Sequence, residues 1–105
     1  MRKILVLGAG KIGALISGLL AESGDYAVAL ADVDGNASAA VAKAHGSERL
    51  TAHAVDATQR KALDAFLATH KIDAVVSSLP YYCNPVVAAA ARKADAHYFD
   101  LTEDV

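Results

Sequence analysis

The sequence predicts an α/β domain built as a three-layer, doubly wound parallel sheet, with strand order 3-2-1-4-5 and helices on both faces. Three observations carry that prediction. Short apolar runs alternate with helix-length segments along the whole chain. Two of the runs, around Ile4–Leu7 and Ala74–Val76, are unbroken, the pattern of strands buried on both faces. The first run leads straight into Gly8-Ala9-Gly10-Lys11-Ile12-Gly13, a G-x-G-x-x-G spacing that opens a helix. Strands that alternate with helices require right-handed crossovers and therefore parallel pairing. The winding then reverses between strands 1 and 4, and the ligand crevice is expected there.

Taken in order, the first strand covers Ile4–Leu7 and an Ala/Leu/Ile-rich helix runs from Lys11 to about Ser23. Gly24 stops that helix. The second strand, Tyr26–Ala31, ends at Asp32 and an acidic, turn-rich stretch to Asn36. A second helix, about Ala37 to His45, closes at Gly46. The third strand, Leu50–Val55, reads more weakly because Thr51 and His53 alternate with apolar residues. Asp56-Ala57-Thr58 can cap a third helix, about Gln59 to Thr69, with Leu63, Phe66 and Leu67 on its inner face. The fourth strand is Asp73–Ser78, opening into Leu79-Pro80-Tyr81-Tyr82-Cys83. Asn84 followed by Pro85 predicts a capped helix start, and that helix runs to about Ala94. A fifth strand, His97–Leu101, precedes Thr102–Val105.

A length of 105 residues with 54% hydrophobic and 21% charged residues fits one small domain with a real core. No apolar run approaches the roughly 20 residues that span a bilayer, so no membrane partner is expected. Met1-Arg2-Lys3 ahead of an apolar stretch imitates a signal peptide, but the glycine motif interrupts it. The absence of a targeting signal points to the cytoplasm. The net charge is −2 with acids and bases interspersed, which disfavours nucleic acid. One cysteine excludes an internal disulfide and fits a reducing compartment. The four histidines are scattered without zinc-ligand spacing, so no metal site is expected.

The chemistry falls at the carboxyl ends of the strands. Gly8 permits the tight turn, Gly10 leaves room for a pyrophosphate, and Gly13 lets helix and strand approach. The free amides of the helix start, at Lys11, Ile12 and Gly13, face the phosphates. Asp32, nineteen residues beyond Gly13, stands where an acid accepts from the adenosine ribose hydroxyls. The residue after it is Val33 and no Arg follows, so NAD is favoured over NADP. Asp34 reads as the cap of the second helix. Asp56 and Ala57 lie where an adenine ring rests, although capping of the third helix explains Asp56 equally well. Ser78 and Leu79 follow the fourth strand and are assigned to cofactor contact.

No catalytic residue is assigned. Cys83 has no histidine near it in sequence and reads as a packed thiol. Tyr81 and Tyr82 lack the lysine four residues on that short-chain dehydrogenases use, and the glycines lack that family's spacing. His97 reads as a structural strand histidine.

The segments GAGKIG, ADVD, VDAT, SSLPYYCNPVVAAAA and AHYFDLTED together resemble the N-terminal Rossmann domain of saccharopine dehydrogenase-like enzymes, over essentially the whole chain. That group includes saccharopine reductases, lysine 6-dehydrogenases and carboxynorspermidine dehydrogenases. The resemblance implies NAD(P)-dependent hydride transfer at a C–N bond of an amino acid. It also implies that substrate-binding and catalytic groups lie largely in a second domain. The chain is therefore expected to be an excised cofactor domain that binds dinucleotide but turns nothing over alone. Removing the partner domain would expose an apolar surface able to drive homodimerisation. Two other classes share parts of the pattern. Regulatory domains of ion channels and transporters carry the same glycines, acid and DAT segment, and a degenerate Rossmann domain binds nothing. The tyrosine-rich loop and HYFDLTED favour the dehydrogenases over the first, and the intact glycines with Asp32 count against the second.

Overall fold

The sheet order is β3-β2-β1-β4-β5, all parallel, in a computed structural model that describes residues 1–101. The strands are β1 (Arg2–Leu7), β2 (Tyr26–Asp32), β3 (Leu50–Ala54), β4 (Ala74–Ser77) and β5 (His97–Asp100). The helices are α1 (Lys11–Ser23), α2 (Gly35–His45), α3 (Arg60–Thr69) and α4 (Asn84–Lys93), with a single 3₁₀ turn at Tyr81–Cys83 ahead of α4.

Strand periodicity divides the core into two layers. On the central strand, Leu5 and Leu7 point to the α3/α4 side, where they meet Leu63, Leu67, Val87 and Ala90. Ile4 and Val6 point to the α1/α2 side with Ala21, Val28 and Leu30. Leu5 is in register with Ala29 on one side and Val75 on the other. Each fully buried Leu of this set contributes roughly 1.5–3 kcal/mol of transfer free energy.

The structure shifts several expected boundaries, and each shift has a local cause. β1 starts at Arg2, two residues before the apolar run, because its backbone already pairs with Tyr26 and the Lys3 amide donates to Asp73 Oδ2 at 2.8 Å. α2 starts at Gly35, with Asp34 as its cap accepting from the Asn36 amide at 2.9 Å. The cap of α3 is Gln59 rather than Asp56, whose carboxylate turns instead to the Thr58 amide and hydroxyl. Asn84 does not cap α4. It is buried, and its Oδ1 accepts from Ser77 Oγ at 2.9 Å, while Cys83 takes the cap position.

The expectation of full burial for the fourth strand also needs correction. Val75 is buried on the α3/α4 side, but Val76 is only half-buried. α1 and α2 cover β1–β3, and among the described residues no helix covers β4 and β5 on that face, leaving Phe99 57% exposed. β5 ends at Asp100, one residue short of the expected end, and Thr102–Val105 lie outside the described residues. Among the described residues no helix is long and apolar enough to cross a membrane.

Candidate dinucleotide-binding site

The loop between β1 and α1 is held from both sides. Gly8 takes φ +101°, a conformation open to glycine, and its amide donates to Ala31 O at 2.8 Å. From the other side, the Ser78 amide donates to Leu7 O at 2.9 Å, and Ser78 Oγ lies 2.8 Å from Leu7 O and 3.1 Å from Gly8 O. A β-carbon on Gly8 would sit 2.6 Å from Ser78 Oγ. One on Gly13 would collide with the Gly8 carbonyl. Both glycines are therefore required by the packing of the loop itself.

Gly10 is different. Its φ of −71° suits any residue, and a β-carbon there would meet no protein atom within 4 Å. Neither backbone nor packing calls for glycine at this position. What the missing side chain leaves is open space directly in front of the helix start. No side chain caps α1, so its first amides are free to meet a ligand. Lys11 and Ile12 are exposed there. A lysine in the first helical turn opposes the helix dipole, and an anion at that end reverses the sign of the effect.

Asp32 ends β2 beside this loop. Its Oδ2 accepts from the Ala9 amide at 2.8 Å and its Oδ1 from the Asp34 amide at 2.9 Å. Each oxygen retains a lone pair for a further donor. Among the described residues the ion pairs are Arg60–Asp64 and Lys93–Asp64, neither of which involves Asp32.

A cleft of about 130 Å³ opens next to Asp32, lined by Val33, Val55, Asp56, Thr58, Leu79 and Cys83 among others. It is smaller than the roughly 300–1,000 Å³ of a whole-ligand pocket, and suits one flat ring rather than a complete dinucleotide. Three larger hollows, of about 360, 480 and 510 Å³, touch neither the glycine loop nor Asp32. Of these hollows the small, largely apolar cleft is the one that adjoins Asp32, and its position rather than its volume identifies the site. The Thr58 hydroxyl, and then its amide, hold the Asp56 carboxyl below the usual carboxylate range. Ala57 is buried in the α3/α4 core and also lines the cleft.

The predicted residues thus gather at one edge of the sheet: Gly8, Gly10, Lys11, Ile12 and Gly13 on the loop, Asp32 beside them, Asp56 and Leu79 in the cleft. Ser78 lies directly behind the loop, with its hydroxyl turned toward β1. His97 stands apart, since it pairs with Ala74 at the start of β4 while Ser77 at its end pairs with Asp100. Cys83 lines the cleft, a placement its sequence neighbourhood did not signal. Tyr81 and Tyr82 are 72% and 69% exposed, with their rings edge-to-face at 5.9 Å. The Ser77–Asn84 bond was not anticipated either. Its one sequence signal is a polar residue at each end of a short loop.

A doubly wound sheet with a glycine loop at its switch point and an acid ending β2 defines a dinucleotide-binding domain of the Rossmann class. The profile described as the saccharopine dehydrogenase NADP binding domain matches residues 4–104, and the chain belongs to that family. Among solved structures, apo histidine-tagged saccharopine dehydrogenase (L-Glu forming) from Saccharomyces cerevisiae superposes with a TM-score of 0.85 at 28% identity. The match covers 100% of this chain and 22% of that one, so this chain spans about a fifth of its relative's length. Two UDP-glucose 4-epimerases share the fold alone. The one from Stenotrophomonas maltophila, with bound NAD and formylated UDP-arabinopyranose, aligns at TM-score 0.75 and 18% identity over 91% of this chain and 35% of that one. The one from Bifidobacterium longum, in complex with NAD+ and UDP, aligns at 0.77 and 17% over 97% and 37%. No curated protein matches the chain by sequence.

Proposed function

We propose that this chain is the cofactor-binding part of a dehydrogenase that moves hydride to or from the carbon of an amino acid's C–N bond, with NAD preferred over NADP. A dinucleotide-binding domain in a dehydrogenase family is already given by the family match. The observation that supports placing the cofactor at this loop is Gly10, a glycine that its own fold does not need, in front of an uncapped helix start.

In this reading the backbone amides of Lys11, Ile12 and Gly13 take the pyrophosphate. The free lone pairs of Asp32 accept from the adenosine ribose hydroxyls. The cleft between Val33, Val55 and Leu79 receives the adenine, with Asp56 positioned to accept from its exocyclic amine. Ser78 holds the loop in place from behind. A bound nicotinamide supplies the hydride acceptor or donor. Substrate selection and proton transfer fall to groups in a further domain, consistent with a chain spanning a fifth of its yeast relative. The preference for NAD rests on Asp32, which would repel a 2′-phosphate, and on Val33 in place of a cation.

Parallel calorimetric titrations with NAD and NADP test this. Tighter NAD binding supports it, tighter NADP binding overturns the assigned preference, and binding of neither overturns the site. An assay of the isolated chain with NAD(H) and saccharopine or lysine is expected to show no turnover. Any rate above background would overturn the division of labour between domains.

A further inference from the structure

α1 is apolar on the side away from the sheet as well as on the side against it. Gly13, Ser17 and Ala21 face inward and are buried. Ile12, Leu15 and Leu19 point outward and are 55%, 59% and 59% exposed. Their spacing of three and then four residues is that of one helix-pairing seam. A helix apolar on all sides is ordinarily buried on all sides.

The charges beside that seam say what covers it. Lys11 and Glu22 are exposed and, at 100° per residue, lie on the same outward side as Leu15. They are eleven residues apart along one helix, roughly 16 Å, too far to pair with each other. Each also stands at the wrong end of its own helix: Lys11 in the first turn and Glu22 near the last, where the dipole disfavours both. No acid occupies the first turn and no base the last. An identical helix laid antiparallel corrects all of this at once. With the twofold axis level with Ser17, Leu15 is level with the partner's Leu19, and Lys11 stands one residue, roughly 1.5 Å, from level with the partner's Glu22, within reach of its long side chain, twice by symmetry.

We propose that α1 is a homodimerisation surface that pairs antiparallel with α1 of a second copy through Ile12, Leu15 and Leu19, closed at both ends by Lys11–Glu22 ion pairs. A helix pair of this length buries less than the ~800 Å² per partner of a standard interface, so a weak dimer whose population rises with concentration is expected.

Sedimentation equilibrium from about 10 µM to about 1 mM reads the outcome directly. The mass should rise from 10.8 kDa toward twice that value. Leu15→Lys and Leu19→Lys should each hold the chain monomeric, with circular dichroism unchanged. Glu22→Lys should weaken the dimer about tenfold, and the exchange Lys11→Glu with Glu22→Lys should restore it, because the swapped pair is again complementary. A chain that stays monomeric throughout overturns the proposal, and would mean that another protein surface covers α1. A dimer that survives Leu15→Lys and Leu19→Lys overturns it as well, by placing the interface elsewhere. A dimer insensitive to the charge exchange overturns the antiparallel register.

Discussion

Asp32 is bonded to the backbone of Ala9, carboxylate to amide at 2.8 Å, and that bond ties the end of β2 to the middle of the glycine loop. The second oxygen holds the Asp34 amide at 2.9 Å, at the start of α2. One side chain thus fixes the loop that would carry a pyrophosphate while offering its remaining lone pairs to a ribose. Asp32→Ala should weaken NAD binding by about 1–3 kcal/mol, the usual loss for hydrogen bonds to a charged group. Asp32→Asn should act in the same direction, since its amide nitrogen cannot accept. Calorimetry on both variants checks this, and unchanged affinity would place the ribose elsewhere.

Gly10 and Gly13 occupy one motif for different reasons, and the two can be separated by experiment. Gly13→Ala drives a β-carbon into the Gly8 carbonyl and against Ser78 Oγ at 2.9 Å. Overpacking of that kind costs about 1–3 kcal/mol or more, which lowers the melting temperature of a domain this size by roughly 4–8 °C per kcal/mol. Gly10→Ala meets nothing and should leave the melting temperature nearly unchanged. It should nonetheless weaken dinucleotide binding at least about tenfold, or ~1.4 kcal/mol. Thermal melts and titrations on the same two proteins decide the matter. Loss of stability in both would mean that Gly10 serves the fold alone.

How much was legible in the sequence follows from how local each signal is. The glycine spacing, the alternation of strands and helices, and the acid ending β2 are contained in a few consecutive residues, and they appear where expected. The misreadings concern polar side chains with two competing partners. Asp56 is a good helix cap by type, but Thr58 offers it both an amide and a hydroxyl first. Asn84 before Pro85 has the form of a cap, yet Ser77 at the end of β4 claims its side chain. α3 and α4 turn off through Lys71 and Asp95, at φ +51° and +58°, positions where residue type carried no glycine signal. The half-burial of Val76 depends on which face a helix covers, a property of topology that no short window contains.

The Ser77–Asn84 bond itself can be tested. Both residues are buried, and the bond anchors the start of α4 to the end of β4. Asn84→Ala leaves the Ser77 hydroxyl without this acceptor, at a cost of about 1–3 kcal/mol. Ser77→Ala should cost about as much, and the double variant less than the sum of the two. Denaturant unfolding of the three proteins measures the coupling, and strict additivity would show that the two side chains act independently.

His53 makes stability fall on the acid side. Burial, and then the neighbouring charge of His70, lower its pKa below the ordinary imidazole value. The rings of His53 and His70 are 5.1 Å apart, Phe66 packs edge-to-face on His53, and Thr51 Oγ1 lies 2.8 Å from its Nε2. The unfolded chain therefore binds a proton more readily than the folded one. The neutral imidazole's contribution is complete above about pH 6.5 and is lost as pH falls through the lower folded value. His53→Gln should flatten that part of the stability–pH curve. An unchanged slope between pH 7 and about 5 would assign the effect to other groups.

Tyr98 gives the opposite sign on the alkaline side. Its pKa is pushed up to about 12, first by burial and then by the charge of Asp100. The hydroxyl is shut away from solvent without a hydrogen bond of good geometry, although Asp100 and Ser77 lie near enough to act on it. A raised folded pKa means that the folded state holds its proton longer than the unfolded chain, whose phenol titrates near 10. The stabilisation is fully present below about pH 10 and disappears as pH rises through about 12. Tyr98→Phe should leave stability at neutral pH unchanged or raise it, because a buried hydroxyl without a well-made partner carries a desolvation cost that the phenyl ring does not. It should also remove the last phase of the tyrosinate absorbance titration, which this chain reports cleanly because it contains no tryptophan. A late phase that persists in Tyr98→Phe would show that a different tyrosine carries it.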